Sequence, residues 1–324
     1  MKKLVINLLG IFLILVLLNL GYAQEKYPNR PVEVIGIWSA GGSTDLATRA
    51  LCEAVKKHFG QPWMIIEKPG AGGMIGMAHV ARAKPDGYTI CAQAGTGQTV
   101  IGFFLQDTGF KQDDFEPVVQ WSSYHLTIAT RADSPWKTMM DLVEHAKKNP
   151  SEIKYATFGK GSSPHFQMEV LARQMGVKLT PVFYKGTTDA IPPILDGIIP
   201  VVGGAPYDSV KEHARAGKLR ILMTLSPQGI EEAPEIPTFK QALGKEQKLF
   251  PSYNSVVVPK GTPEDRKKFI HDCVKKALDD SDFKKAMKQL NFPIVYNDGD
   301  AVKKRIQEET KIIGELVKEL GMGK

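Results

Sequence analysis

Strands and helices alternate along this chain, and the alternation predicts an α/β fold in which a mostly parallel sheet carries helices on both faces. Three observations point to it: short runs rich in β-branched residues, glycine-rich loops that follow them, and amphipathic stretches at helical spacing behind the loops. A length of 324 residues suggests about two domains. With 43% hydrophobic and 24% charged residues, intrinsic disorder and a collagen-like repeat are excluded.

Residues 32–37 form a β-branched apolar run, a strand, and residues 38–44 a Gly/Ser loop. Leu46, Ala50, Leu51, Ala54, Val55 and Phe59 then share one helical face, which Gly60-Gln61-Pro62 ends. Residues 63–67 are the next strand, 69–73 a loop, 74–82 a helix, and Pro85-Asp86-Gly87 a tight turn before a strand at 88–93. The middle third repeats the theme. It has strands at 126–130 and 154–157, a helix at 138–148, and a loop at 158–163 in which Ser163 is a candidate cap ahead of Pro164. Strands at 181–184, 198–203 and 220–224 alternate with helices at 187–195 and 208–216. An irregular Pro-rich stretch, 226–238, precedes an apolar strand at 255–258, and the chain ends in helices opened by Thr262-Pro263.

The start of the chain reads as an export signal. Lys2 and Lys3 precede an almost wholly apolar stretch, 4–20, and Gly21-Tyr22-Ala23 puts small residues where a signal peptidase reads. Cleavage after Ala23 leaves Gln24 first, and a residue other than Cys there excludes a lipoprotein anchor. An uncleaved anchor is the rival reading, because the run is near the lower limit for a membrane span. Export argues against any activity that needs cytoplasmic NAD or ATP.

Three cysteines, Cys52, Cys91 and Cys273, match no zinc or redox spacing and read as buried small hydrophobes. The net charge of +7 is mild. Its densest basic stretch, Arg266 to Lys288, is the wet side of helices whose dry side carries Phe269, Val274, Leu278, Phe283 and Met287, so no nucleic-acid partner is expected. No cofactor is implied.

Three glycine-rich loops carry chemistry. The first, Ser39-Ala40-Gly41-Gly42-Ser43-Thr44-Asp45, links a strand to a helix; free backbone N–H groups with a helix dipole behind them suit an anion. The alternative is a plain capped turn with Thr44 or Asp45 as N-cap. The loop is no P-loop, because the Gly-Lys-Ser/Thr ending is missing. The second, Gly70-Ala71-Gly72-Gly73-Met74-Ile75-Gly76, mimics a dinucleotide fingerprint with an extra spacer, but the following strand ends in Gln93 where an acidic residue belongs, so tight helix–strand packing explains the glycines better. The third, Phe158-Gly159-Lys160-Gly161-Ser162-Ser163-Pro164-His165, again suits an anion and can face the first loop across a cleft. Catalytic sets are poor: Ser39 lacks the surroundings of a nucleophile elbow, His165 has no nucleophile at a telling spacing, and no paired metal-ligand spacing occurs.

Taken together, Tyr27-Pro28-Asn29-Arg30-Pro31, Ala40-Gly41-Gly42-Ser43-Thr44-Asp45 with Arg49, Glu67-Lys68-Pro69-Gly70-Ala71-Gly72-Gly73, Ala83-Lys84-Pro85-Asp86-Gly87-Tyr88-Thr89, Gly161-Ser162-Ser163 with His165, Tyr184-Lys185-Gly186 and Pro259-Lys260-Gly261-Thr262-Pro263 resemble the Bug-type periplasmic solute-binding proteins, the binding components of tripartite tricarboxylate transporters. The resemblance covers nearly the whole mature chain. It implies a two-domain periplasmic-binding-protein clamshell of type II, the Venus-flytrap form, with residues 24–127 plus 252–324 in domain 1 and 128–251 in domain 2. It also implies a small carboxylate ligand, membrane transporter subunits as partners, a periplasmic location, a monomer and no enzymatic activity. The family's ligand loops map onto Trp38, Ser39, Ala40, Gly41, Gly42, Ser43, Thr44 and Asp45 on one side and Gly159, Lys160, Gly161, Ser162, Ser163 and His165 on the other. Thr96 and Gln98 are expected to reach the cleft from below, with Tyr184 a further candidate. Many relatives carry Pro-Phe-Pro where this chain has Ile37-Trp38-Ser39, and an Asp where it has Gly204 or its neighbours. Loss of that charge favours a ligand without an amino group: a di- or tricarboxylate, or an aromatic acid stacked on Trp38. An exported hydrolase on the same scaffold and a sensor-coupled binding protein are the alternatives.

Overall fold

The computed structural model describes residues 27–246 and 250–323. The export signal expected at 1–23 lies outside the described residues. The strands are β1 (Val32–Gly36), β2 (Trp63–Glu67), β3 (Thr89–Ala94), β4 (Phe115–Tyr124), β5 (Leu126–Arg131), β6 (Lys154–Thr157), β7 (Thr180–Phe183), β8 (Val201–Pro206), β9 (Leu219–Thr224), β10 (Ser252–Pro259) and β11 (Ile294–Asp298). The helices are α1 (Ser43–Phe59), α2 (Met74–Ala81), α3 (Gly102–Leu105), α4 (Met139–Lys148), α5 (Ser163–Met175), α6 (Thr187–Leu195), α7 (Tyr207–Arg215), α8 (Phe239–Leu243), α9 (Glu264–Ala277), α10 (Ser281–Gln289) and α11 (Gly299–Glu319).

The strands form two sheets, ordered β11-β4-β10-β3-β1-β2 and β7-β6-β8-β5-β9. In the first, β1 pairs in parallel with β2 and β3, whereas β10 runs antiparallel to both β3 and β4. In the second, β6 pairs in parallel with β7 and β8, whereas β5 runs antiparallel to both β8 and β9. Each sheet therefore keeps four strands in one direction. A reversed strand, β10 or β5, lies in the same place in each, and β11 adds an antiparallel edge to the first. The reversal has a simple cause. Only His125 separates β4 from β5, so β4 ends where the two lobes meet and β5 begins there. β10 likewise begins where the chain returns. A strand that starts at the interface runs opposite to strands that end at it. The crossing segments are tied together, because Ser252 at the start of β10 pairs with Tyr124 at the end of β4, and the first crossing is also held to the end of β9, where His125 Nδ1 lies 2.9 Å from Ser226 Oγ.

Both faces of each sheet are covered, as strand alternation requires. Val32 and Val34 point to the cluster with Leu51, Phe59, Trp121 and Phe283; Ile35 and Ile37 point the other way, to Met74, Met77 and Val80. In the second sheet Tyr155 and Val201 join one cluster, and Ala156 and Val202 the other. The cysteines are free and buried as expected, and burial pushes the Cys52 and Cys91 thiols up to about 12. The apolar side of α9 and α10 is buried at Val274, Leu278, Phe283 and Met287. The far end of α11 (Ile313, Leu316, Val317) belongs to the same buried cluster as Leu142, Phe166 and Leu171 of the second lobe. Strands β4 and β11 answer to no run singled out in the sequence.

One consequence locates the site. Helices that follow parallel strands start at the carboxyl ends of those strands. The N-termini of α1, α5, α6 and α7 therefore converge between the lobes.

Candidate functional site

The first glycine loop lies between β1 and α1. Beneath it, Gln93 at the end of β3 accepts from Ile37 N–H (2.8 Å) and donates to Thr48 Oγ1 (3.1 Å), which itself donates to Thr44 O (2.7 Å). The first turn of α1 is thus fixed from behind by a buried amide. Helix α1 starts at Ser43, and its N-cap, Gly42, has no side chain to bond the first turn. Leu46 N–H is the first to find a helical acceptor, Gly42 O (2.9 Å). The amides of Ser43, Thr44 and Asp45 precede it and are open to a ligand.

Two expectations change here. Thr44 and Asp45 are not N-caps, because they lie inside the first helical turn. The Gly41 amide, expected to grip an anion, donates instead to Asp45 Oδ2 (2.7 Å), which holds the turn at Gly41 (φ +76°). Asp45 is fully buried; its Oδ2 also accepts from Arg49 Nε (2.9 Å), and Arg49 Nη2 reaches Glu67 Oε1 (3.1 Å).

Helix α6 supplies the opposite wall. Its N-cap, Gly186, also makes no side-chain cap, and a Cβ there would lie 2.8 Å from Ser39 Cβ, so only glycine allows this approach. The lobes touch through Ser39 Oγ donating to Asp189 Oδ2 (2.5 Å), Thr188 Oγ1 donating to Ala40 O (3.5 Å), and Ser43 Oγ beside Ser209 Oγ (2.5 Å). They enclose a cavity of about 30 Å³, lined by Trp38, Ser39, Gly42, Ser43, Thr44, Asp45, Tyr124, Leu126, Phe158, Pro164, Gly186, Thr187 and Pro206. That is room for about two waters. Among the described residues no cationic side chain lines it. The positive field comes from the helix N-termini. Trp38 packs against core clusters of both lobes. A larger groove, about 940 Å³, lies on the first lobe among Glu116, Glu264, Lys267 and Lys303. There Lys267 is already paired with Glu116 and Glu264, and the helix starts that line it carry acidic residues, Glu264 on α9 and Asp298 and Asp300 on α11.

The third loop behaves otherwise. Ser162 rather than Ser163 caps α5, its Oγ accepting from His165 N–H (3.3 Å). His165 Nδ1 accepts from Gly161 N–H (3.3 Å), and Ser163 Oγ accepts from Gln167 Nε2 (2.8 Å). Lys160 offers its carbonyl to Gln106 Nε2, and its side chain is exposed. Gly159 (φ +90°) lies so close to Gly72 that an added Cβ would be 2.1 Å from Gly72 N. His165 is buried against Phe183; burial first, then the Lys160 charge, lowers its pKa to about 4. Of this segment, Phe158 and Pro164 line the cavity, and Gly159, Lys160, Gly161, Ser162, Ser163 and His165 do not.

The remaining expected residues sit behind or beside the cavity. Gln98 donates to Gly72 O (2.7 Å) and accepts from Gly95 N–H (3.2 Å). Thr96 is buried near Glu309 and Tyr253. Tyr184 packs against the second lobe's core, and its N–H donates to Thr157 O (2.8 Å). Gly204 (φ +82°) leaves room for Pro164, which a Cβ would meet at 2.6 Å. The second glycine loop has two roles. Gly76 serves helix–strand packing, as expected, with Ile37 Cγ2 2.6 Å from an added Cβ, and Gly72 receives the other lobe's Lys160 and Ser162. Sequence reasoning missed Tyr124 and Leu126, which flank the crossover, and Thr187 at the start of α6; Gly186, two residues past Tyr184, belongs to the segment expected as a further candidate and does line the cavity.

The family described as the tripartite tricarboxylate transporter family receptor matches residues 47–322. A UPF0065 protein in the gbd 5' region of Cupriavidus necator is 29% identical over 301 residues, 93% of this chain and 90% of that protein. The periplasmic binding protein BugD superimposes with a TM-score of 0.84 at 28% identity, covering 92% of this chain and 99% of that one. MatC from Rhodopseudomonas palustris, solved with bound malate, has the same fold, with a TM-score of 0.82 at 24% identity over 88% of this chain and 98% of that one. With its two-lobed α/β architecture and this match over most of its length, the chain belongs to the tripartite tricarboxylate transporter receptor family, in the fold of the periplasmic binding proteins.

Proposed function

We propose that this receptor captures a small organic carboxylate between its lobes in the periplasm and delivers it, as a monomer, to the membrane subunits of a tripartite tricarboxylate transporter. The observation that carries the reading is the pair of uncapped helix starts, α1 at Gly42 and α6 at Gly186, on facing walls of one cavity. Their open amides suit a carboxylate without any lysine or arginine. Trp38, Tyr124 and Phe158 line the cavity with aromatic surface, and once the lobes part enough to widen it beyond its present volume, that surface suits a dicarboxylate chain or an aromatic acid. The hinge lies at His125 and in the returning segment before β10, and opening there admits the ligand. Asp45 is the one charged side chain on the wall, and Arg49 balances it, so an ammonium group has no dedicated partner. Ser39 donates to Asp189, and Ser163 accepts from Gln167; neither is arranged as a nucleophile with a base.

The test is a melting-temperature screen of residues 24–324 against malate and other dicarboxylates, tricarboxylates, aromatic acids, amino acids and neutral sugars. A ligand at about a hundred times its Kd adds about 2.7 kcal/mol, which is plain as an upward shift. A shift confined to acids without an amino group is the expected result. A shift with sugars or amino acids alone would refute the reading.

A further inference from the structure

We propose that Glu67, which lies outside the ligand loop, positions that loop by sharing one proton with Asp45, so that acid ligands bind best while the proton is held. The inference rests on the cavity being the ligand site.

The geometry comes first. Glu67 ends β2 directly opposite Gly36 of β1. An added Cβ at Gly36 would fall 2.6 Å from Glu67 Oε2, so the missing side chain gives the carboxyl its place. Arg49 bridges the two acids, its Nε to Asp45 Oδ2 (2.9 Å) and its Nη2 to Glu67 Oε1 (3.1 Å). Gly41 N–H takes Asp45 Oδ2 as well (2.7 Å). The Gly41 amide and the Nε and Nη2 of Arg49 are then engaged, yet one oxygen of each acid, Asp45 Oδ1 and Glu67 Oε2, is buried without a donor. Asp45 is fully buried and the Glu67 side chain is 28% exposed, and with one guanidinium between the two carboxyls, ionising both leaves one charge uncompensated. A single proton held between the two orphan oxygens satisfies both and makes the trio neutral.

The titration behaviour agrees. Burial first, then the Asp45 charge and its hydrogen bond, push Glu67 up to about 7, with Arg49 opposing. The groups near the pair on α1 are Arg49 and Cys52, whose thiol burial keeps protonated; exposed Glu53 acts on Cys52. From β1 there is only Gly36. Next along the chain from Glu67, Lys68 sends its N–H to Gly36 O (2.7 Å) and is approached by Gly76 of α2.

The consequence reaches the ligand through Asp45. With the proton in place, Asp45 Oδ2 holds the Gly41 amide, and the amides of Ser43 to Asp45 face the cavity beside a neutral trio. Once it is lost, the trio carries a net negative charge beside the seat of an anion, and the Asp45 carboxylate is pushed from its place. Affinity for an acid therefore falls as pH rises through about 7.

Two measurements test this. In ¹⁵N–¹H spectra of the ligand-free protein, the Gly41 amide should move with a midpoint near pH 7, and in Glu67→Gln, whose amide is a permanent donor to Asp45, that movement should vanish. Titration of Glu67 itself by carboxyl ¹³C shifts in the wild type gives the same midpoint without any variant. A Gly41 resonance that stays flat from pH 5 to 9, or a Glu67 midpoint near that of an ordinary carboxylate, would overturn the proposal. Malate binding by calorimetry supplies the second arm: between pH 6 and 8.5 the wild-type Kd should rise about tenfold, one pKa unit's worth, and that of Glu67→Gln should not. Equal rises in both proteins would also overturn it. Failure of malate to bind at any pH would count against the choice of ligand, and the Gly41 titration would still decide the shared proton.

Discussion

The first and third glycine loops are written almost alike, a strand, a run of glycines and hydroxyls, then a helix, yet they do different work. In the first, the N-cap is Gly42, which has no side chain to bond the first turn, and the amides of Ser43, Thr44 and Asp45 stay open toward the cavity. In the third, the N-cap is Ser162, whose hydroxyl takes the His165 amide, while His165 takes Gly161. The amides of Gly161, Ser162 and His165 are satisfied within the loop, and Gly159 presses against Gly72, while Ser162 and Ser163 meet Gly97 of the other lobe. In the proposed reading, one loop binds and the other closes. The deciding difference is a single side chain at the N-cap.

The largest effect is expected at the closing loop. Gly159→Ala puts a Cβ 2.1 Å from Gly72 N at a positive φ. It should cost the closed form about 3 kcal/mol, or about a hundredfold in ligand affinity, with the lobes further apart in solution scattering. Unchanged affinity would show that the Gly159–Gly72 contact does not matter for closure.

His165 gives a pH test of nearly equal size. Its folded pKa is about 4, below the usual histidine value, because it is buried and lies near Lys160. The unfolded chain therefore takes up a proton first as pH falls below about 6.5, and stability drops from there down to about pH 4. The loss should reach about 3 kcal/mol at most. Urea melts at pH 7 and 4.5 should show a smaller difference in His165→Gln than in the wild type.

The N-cap exchange breaks the comparison directly. Gly42→Ser gives α1 the cap it lacks, so a hydroxyl competes with the ligand for the first-turn amides. Its Cβ would lie 3.0 Å from Thr187 Oγ1, so that hydroxyl must turn aside. Calorimetry should show affinity for malate falling about tenfold with no loss of melting temperature. The mirror change, Ser162→Ala, should cost about 1 kcal/mol of stability and leave affinity within about twofold. Smallest of all, Lys160→Ala should change affinity less than about twofold, because only the Lys160 carbonyl is engaged and its side chain is in solvent.

Much of the architecture was legible beforehand because it is written locally. The β2 and β6 spans and the α6 span coincide with their expected limits. Strand β4 was not seen: Pro117 interrupts it, and Gln120, Ser122 and Ser123 break any apolar run, so its pairing with β10 and β11 is what makes it a strand. Within the site, the first loop's chemistry was readable from glycine, serine and the helix behind them. The state of its individual amides was not. Whether Gly41 N–H is free depends on Asp45, and whether Ser162 faces ligand depends on Gly72 and Gly97, which only the folded chain brings near. A glycine–hydroxyl pattern identifies which donors exist; tertiary contacts decide which remain open.

The most direct measurement is a titration of the ¹⁵N-labelled receptor with malate, followed at the amides of both loops. The account predicts that the largest shifts fall on Ser43, Thr44 and Asp45, with Thr187 on the facing helix, while Gly161, Ser162 and Ser163 respond only weakly as the lobes close. Shifts centred on residues 161–165, with Ser43 to Asp45 unmoved, would contradict it and make the capped loop the seat of the carboxylate.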